Sequence, residues 1–419
     1  MTIGFLPLDS RPCTYDFPVQ LAHQCGAQII LPPAGYISEY KSPSDTSKNL
    51  KWLKQIAPEC DCLIISAEQL IHGGLIQSRN ARLTIHEQRA ILAELEAIKK
   101  ETPTVKIFLS TVLMRTSIST INEQTRIWWE KMNEYSFFRY LALSGGNPEI
   151  QAQYASLSKE IPQEVIDAYL TARQVNHEIN RACIQLAAKD IVDALFILQE
   201  DCAPKRIHWL EQRILMEDIE KGHLQNRVFL FNGTDEAACS LMQKAIHPKG
   251  AEAEVVWLTD HRNFIANYED RPFIENVNGH MRALNIKNRP GAKKAICILP
   301  PKKKQGEASE PRSGFSADYT MDELKAISNT IQSLTQEGRH CYLLDVGFAN
   351  GGNPKLLEAL GQTMPITSLF GYAGWNTASN SLGTLLSQLL ASDENTPENQ
   401  SFTAERILDD DIYQPIVLS

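Results

Sequence analysis

The chain has 419 residues, of which 43% are hydrophobic, 22% charged and 8% aromatic, far from the charged, apolar-poor range in which chains stay disordered. Its 50 acidic and 41 basic residues give a net charge of −9, so no global positive field draws nucleic acid or anionic lipid. No apolar run approaches the roughly 18 residues of a membrane span, and Pro7, Asp9 and Arg11 interrupt the stretch that a signal peptide would need. A cytoplasmic protein without nucleic-acid or membrane partners is expected.

Apolar, β-branched runs alternate with amphipathic helical stretches, the pattern of an α/β fold with mainly parallel strands and crossover helices. In chain order the expected strands are Ile3–Leu8, Gln28–Leu31, Cys62–Ser66, Val105–Thr111, Ala194–Leu198, Arg227–Phe231, Glu254–Leu258, Ala295–Leu299, Cys341–Val346 and Pro365–Phe370. Between about 116 and 190 the strand signal gives way to helical periods, a helical insertion. Within it Asn147 is placed as an N-cap and Pro148 as the first helical residue, where a missing N–H costs nothing. The same GGNP letters recur at Gly351–Pro354, as a second helix start or by coincidence.

Residues 300–319 are rich in Pro, Lys, Ser and Gly and are expected to form a mobile loop, with Lys302–Lys304 solvated on it. Ser392–Gln400 reads as a linker. Two lobes, 1–225 and 226–419, are the expected division, with one large barrel-like domain as the alternative. The nine cysteines include no CxxC pair, which argues against a disulfide framework or a zinc cage. Cys60 and Cys62 are read as small buried hydrophobes.

Several strands run straight into charged side chains at their carboxyl ends, the side on which parallel α/β proteins bind ligands. These are Asp9 and Arg11, Glu68 and His72 followed by Arg79, Arg115, Glu200 and Asp201, and Asp235 and Glu236. Each has a structural alternative: helix capping for the acids, a local ion pair for Asp9 with Arg11, a satisfied histidine for His72. Arg173, Asn176, His177 and Asn180 share one helix face and are expected to face solvent, or else to roof the cleft. The loop from Gly347 to Pro354, with Asn350, follows a strand and opens a helix, so its N–H groups could cradle an anion. No phosphate-loop, dinucleotide, serine-elbow or HExxH motif occurs, and no cofactor is expected. In GYAGWNTASNSLG, Trp375 beside Asn376 suits a sugar-like ligand, stacking on C–H faces while the amide donates and accepts. A buried Trp with a capping Asn is the alternative.

PLDSRP, SAEQLIHGGLIQSR, VLMR, QED, NGTDE, YEDRP and GYAGWNTASNSLG, in this order, resemble the signature blocks of the bacterial family known as domain of unknown function 4127. The resemblance implies a shared α/β fold and a polar site built from these blocks. Two departures stand out: His72 occupies a position where relatives are expected to carry an aromatic, and the chain stops soon after ILDDDIYQ, where relatives are expected to continue.

The function expected from the residues is hydrolysis of a small polar, sugar-like substrate, most specifically of a glycosidic bond, which needs two carboxyl groups in different protonation states. Glu200, Asp201, Asp235, Glu236 and Asp9 are the candidate catalytic acids, with one expected from Glu200–Asp201 and one from Asp235–Glu236, Arg79 and Arg115 holding an anionic or hydroxylated substrate, and Trp375 stacking on it. Arg11, Glu68, His72, Arg79, Arg115, Asn350, Trp375 and Asn376 are the candidate substrate contacts. A metal-dependent hydrolase or lyase with Asp9, Glu68 or His72 and Asp201 as ligands, and a cytoplasmic binding protein without catalysis, are the alternatives.

Overall fold

The computed structural model describes residues 1–39, 42–80, 83–119, 123–308 and 319–417. They form two compact units, Met1–Phe17 with Ala27–Leu241, and Pro18–Gly26 with Met242–Ser419.

The first unit is built on six parallel strands, β1 (Thr2–Leu6), β2 (Gln28–Ile30), β3 (Cys62–Ser66), β4 (Lys106–Leu113), β5 (Ala194–Gln199) and β6 (Val228–Asn232), in the order β2-β1-β3-β4-β5-β6. CLIIS in β3 and ALFILQ in β5 are buried throughout, so neither strand has a solvent side on which alternation could show. Leu63, Ile65, Ile107, Leu109, Leu195 and Ile197 form one face of the core with Trp52, Leu92, Leu95 and Ile184. From β1 the chain first steps outward to β2 and then crosses to β3, which makes the β1/β3 boundary the topological switch point. The insertion consists of helices Glu123–Leu143, Pro148–Glu160 and Gln163–Ala188, with a small core of its own around Met132, Tyr135, Leu157 and Tyr169.

The second unit repeats this winding. Its sheet runs β8 (Lys287–Asn288), β7 (Glu252–Trp257), β9 (Lys294–Leu299), β11 (His340–Asp345), β13 (Gly371–Ala373), and β10 (Gly306–Glu307) pairs with β12 (Phe348–Ala349) beside it. Ile296, Ile298, Tyr342 and Leu344 pack on one face and Ala295, Cys297, Leu299, Cys341 and Leu343 on the other. Among the described residues no helix is long and apolar enough to cross a membrane. All nine cysteines are free, and Cys60 and Cys62 are buried.

Three expectations are corrected, and a fourth lies partly outside the described residues. Pro365–Phe370 is no strand: Ile366–Ser368 is a 3₁₀ turn and pairing starts at Gly371, because its apolar residues reach the core from a turn. Ser392–Gln400 is no linker. A helix begins at Pro397, and buried Asn399 donates to the Phe370 carbonyl and accepts from Gln388. Residues 309–318 of the expected mobile loop lie outside the described residues, but its flanks are pinned. Buried Gln305 donates to the Val346 carbonyl, Tyr319 to that of Pro300, and Lys302 meets Glu323 at 2.8 Å. Arg173, Asn176 and Asn180 do not face solvent; all three are buried.

Both GGNP segments are helix starts: Asn147 accepts from the Ile150 N–H and Asn353 from that of Lys355, each ahead of a proline in the first turn. In the second, the loop N–H groups are not open to an anion, since the Asp345 carboxylate already accepts from Gly347 and Asn353. The C-terminal acids clasp this region: the Asp410 carboxylate accepts from Gly374 N–H and pairs with Arg406, and its carbonyl accepts from Gly352 N–H. A side chain at Gly352 would overlap the buried Tyr372 hydroxyl and Asp411 carboxylate. Gly352→Ala is therefore expected to cost about 1–3 kcal/mol, the usual penalty of overpacking, read as a lower urea midpoint with unchanged slope.

Candidate active site at the strand ends of the first unit

After β1 the chain turns sharply over Asp9–Thr14. Asp9, 8% exposed, accepts from the Arg11 N–H at 3.1 Å and the Thr14 hydroxyl at 2.6 Å, an arrangement local to the turn. Arg11 then folds back, its Nε and Nη2 donating to Asp9 at 3.0 and 2.8 Å. The other edge of the same guanidinium, Nη1 and Nη2, donates to Asp235 at 3.0 and 2.7 Å. One planar fork thus joins two carboxylates brought from the ends of β1 and β6. Arg11 keeps 41% of its side chain exposed, whereas Asp9 and Asp235 keep 11% and 9%. Beneath them a cavity of about 10 Å³, lined by Thr14, Ser66, Ser110, Thr234 and Asp235 among others, approaches the volume that a single water needs.

Glu68, just past β3, is buried, accepts from the Val112 N–H at 2.7 Å and from the Ser66 hydroxyl, and lies 3.2 Å from the Thr111 hydroxyl. Burial raises its pKa, with these hydrogen bonds opposing. His72 ends the same short helix, and burial lowers its pKa to about 4, so its ring is neutral at pH 7. Glu200 is 5% exposed and meets Arg79 and Arg115; Arg115 also pairs with Asp201, which is 36% exposed. Burial pushes the Glu200 pKa up, but the two guanidinium charges outweigh it and hold the carboxyl below its ordinary range. Glu236 is turned onto the Thr234 N–H at 2.8 Å, immediately before the helix Ala237–Ile246.

The expected division of labour therefore changes. Glu200 is an ionised partner of two arginines, unsuited to giving a proton. Arg79 and Arg115 are engaged by Glu200 and Asp201, so they are not free clamps for an anion. The six carboxylates at these strand ends, those of Asp9, Glu68, Glu200, Asp201, Asp235 and Glu236, outnumber the three guanidiniums. A neutral hydroxylated ligand suits them better than an anionic one. Among the described residues no three of Asp9, Glu68, His72 and Asp201 bring donor atoms within 4.8 Å of one another, which leaves the metal-dependent alternative without its ligand set.

The helical insertion supplies residues that the sequence showed only as a polar helix face, expected to face solvent or to roof the cleft. Arg173 donates from Nη1 to the carbonyls of Met114 and Arg115 and pairs with Glu211. Asn176 donates to the Val112 carbonyl at 2.9 Å and accepts from the Met114 N–H, and Asn180 accepts from the Thr111 hydroxyl. These contacts satisfy the backbone beyond β4 and so position Arg115. The signal was present in the i, i+3, i+7 spacing; burial was the missing fact.

Asn350, Trp375 and Asn376 belong to the second unit. Asn350, at φ 59°, donates to Glu307 at 2.9 Å and through its N–H to the Asn376 carbonyl. Asn376 accepts from the Thr377 N–H, and the Trp375 carbonyl accepts from Ser381. Both side chains of Trp375 and Asn376 remain partly exposed.

The second unit also buries Glu269, of the YEDRP block. It accepts from Ser379 N–H and from the Asn276 amide, both at 2.7 Å. Burial raises its pKa from 4.5 to about 7. A carboxyl whose folded pKa is raised adds stability that is complete below its unfolded pKa and is lost as pH rises through the folded one. The rise corresponds to about 3 kcal/mol. Glu269→Gln is expected to remove about 2–3 kcal/mol of the stability difference between pH 5 and pH 8, measured by urea unfolding of both proteins. Asn276 Oδ1 has no hydrogen-bond partner among the described residues, so its amide can turn to receive the new donor. Identical pH profiles for the two proteins would exclude this role.

No curated protein matches the chain. The sequence model of one family, described as "Protein of unknown function (DUF4127)", matches residues 3–419, essentially the whole chain. With the signature blocks carried at the strand ends of a doubly wound α/β fold, the chain belongs to this DUF4127 family.

Proposed function

We propose that this chain is a hydrolase of a small, polar, uncharged substrate, with the glycosidic bond as the most specific target and Asp9 and Asp235 as the working carboxylates. The observation that carries the reading is the Arg11 guanidinium, partly exposed and holding one carboxylate on each edge at the ligand-binding end of the sheet. Glycosidic cleavage needs one carboxyl as acid and one as base or nucleophile. A shift of Arg11 toward either partner on substrate binding would open the other carboxylate to the substrate and so let the two take different roles. Substrate hydroxyls would replace the hydrogen bonds that the fork gives up.

The test is turnover by the purified chain of a panel of aryl α- and β-glycosides. Sugar release from at least one member is expected, and no release from any of them ends the glycosidase reading. Binding without chemistry is the second reading, favoured by the pairing of Glu200 with both Arg79 and Arg115. It predicts a saturable sugar complex with no turnover.

A further inference from the structure

The second unit carries a bowl of about 540 Å³ at the amino ends of β7, β9 and β11, where Glu252, Lys294 and His340 begin their strands. That volume lies within the range of small-molecule sites. Its charged lining consists of Arg289, Lys293 and Lys294 against Glu252 and Asp393, an excess of cations in a chain whose net charge is −9. Arg289 leans on Glu252 at 2.5 Å but is 65% exposed, and Lys294 is drawn to Asp393 at 2.8 Å and to the Leu389 carbonyl at 2.6 Å. Lys293 is exposed and makes no ion pair among the described residues.

The floor of the bowl is prepared as well. His340 stacks on Phe370 with ring centroids 3.7 Å apart and planes 10° from parallel. Its buried Nδ1 has no hydrogen-bond partner among the described residues. Burial first, and then the charges of Lys293 and Lys294, lower its pKa to about 4 despite Asp393, so the imidazole is neutral at pH 7. Ala251, Pro290 and Ala292 add an uncharged wall.

We propose that this bowl is a binding site for a phosphate-bearing small molecule, with the oxyanion held by Arg289 and Lys293 and the body against the Ala251–Pro290–Ala292 wall. Arg is suited to such planar, multiple hydrogen bonding, while an exposed Lys contributes a point charge. The site shares no residue with the carboxylates of the first unit and does not depend on their role.

The experiment is calorimetric titration of the full chain with glucose 6-phosphate and with inorganic phosphate, at constant ionic strength in chloride buffer. Saturable binding of at least one probe is expected. The Arg289→Glu/Lys293→Glu variant should bind at least tenfold more weakly, and the Arg289→Lys/Lys293→Arg variant should retain binding. Binding of both probes locates the affinity in the oxyanion, and binding of the sugar phosphate alone adds the body as a determinant. Absence of saturable binding of either probe, or undiminished binding by the charge-reversed variant, overturns the proposal.

Discussion

Asp235→Asn is expected to lower kcat/KM on any glycoside that the chain hydrolyses by about 10²–10⁴-fold, the usual worth of a positioned acid or base. The amide keeps the shape of the carboxylate and one acceptor for Arg11, whose other edge stays on Asp9. Ligand affinity and the unfolding midpoint should therefore change little, and the loss should fall on kcat. Asp9→Asn should behave alike, with a shift in the pH–rate profile marking which limb each residue controls. Glu200→Gln should do the reverse: it leaves Arg79 and Arg115 facing a neutral amide and lowers stability more than turnover. Turnover by Asp235→Asn within threefold of the parent would remove Asp235 from the chemistry.

Arg173→Ala should be the most destabilising single change considered, at about 3–5 kcal/mol, because removing one partner of a buried ion pair strands the other. Arg173 is 2% exposed, Glu211 14%, and the carbonyls of Met114 and Arg115 lose their donor as well. The measurement is the urea midpoint at pH 7. Arg173→Met together with Glu211→Leu should recover much of the loss, since a packed apolar pair avoids the uncompensated charge. A loss below about 1 kcal/mol would mean that water reaches the pair.

Much of the fold was legible because its determinants are local. Continuous apolar runs such as CLIIS and ALFILQ announce strands covered on both faces, and Asn147-Pro148 announces a helix start through its own backbone chemistry. The insertion was legible for the same reason. Pro365–Phe370 was misread because an apolar run does not say whether its side chains reach the core from a strand or from a turn. The stripe of Arg173, Asn176 and Asn180 was misread because polar spacing along a helix identifies a face but not what covers it.

The amino-acid sequence by itself determined the class, most of the strands and helices along the chain, and a set of charged residues delivered to strand ends. Tertiary structure decided which of them meet. Arg11 and Asp235 are 224 positions apart and Arg79 and Glu200 are 121 apart, while Glu236, adjacent to Asp235, turns to its own loop. Local periodicity encodes the direction of a side chain relative to its element, whereas an ion pair depends on the distance between elements. That distance is set by strand order and helix packing across the whole sheet.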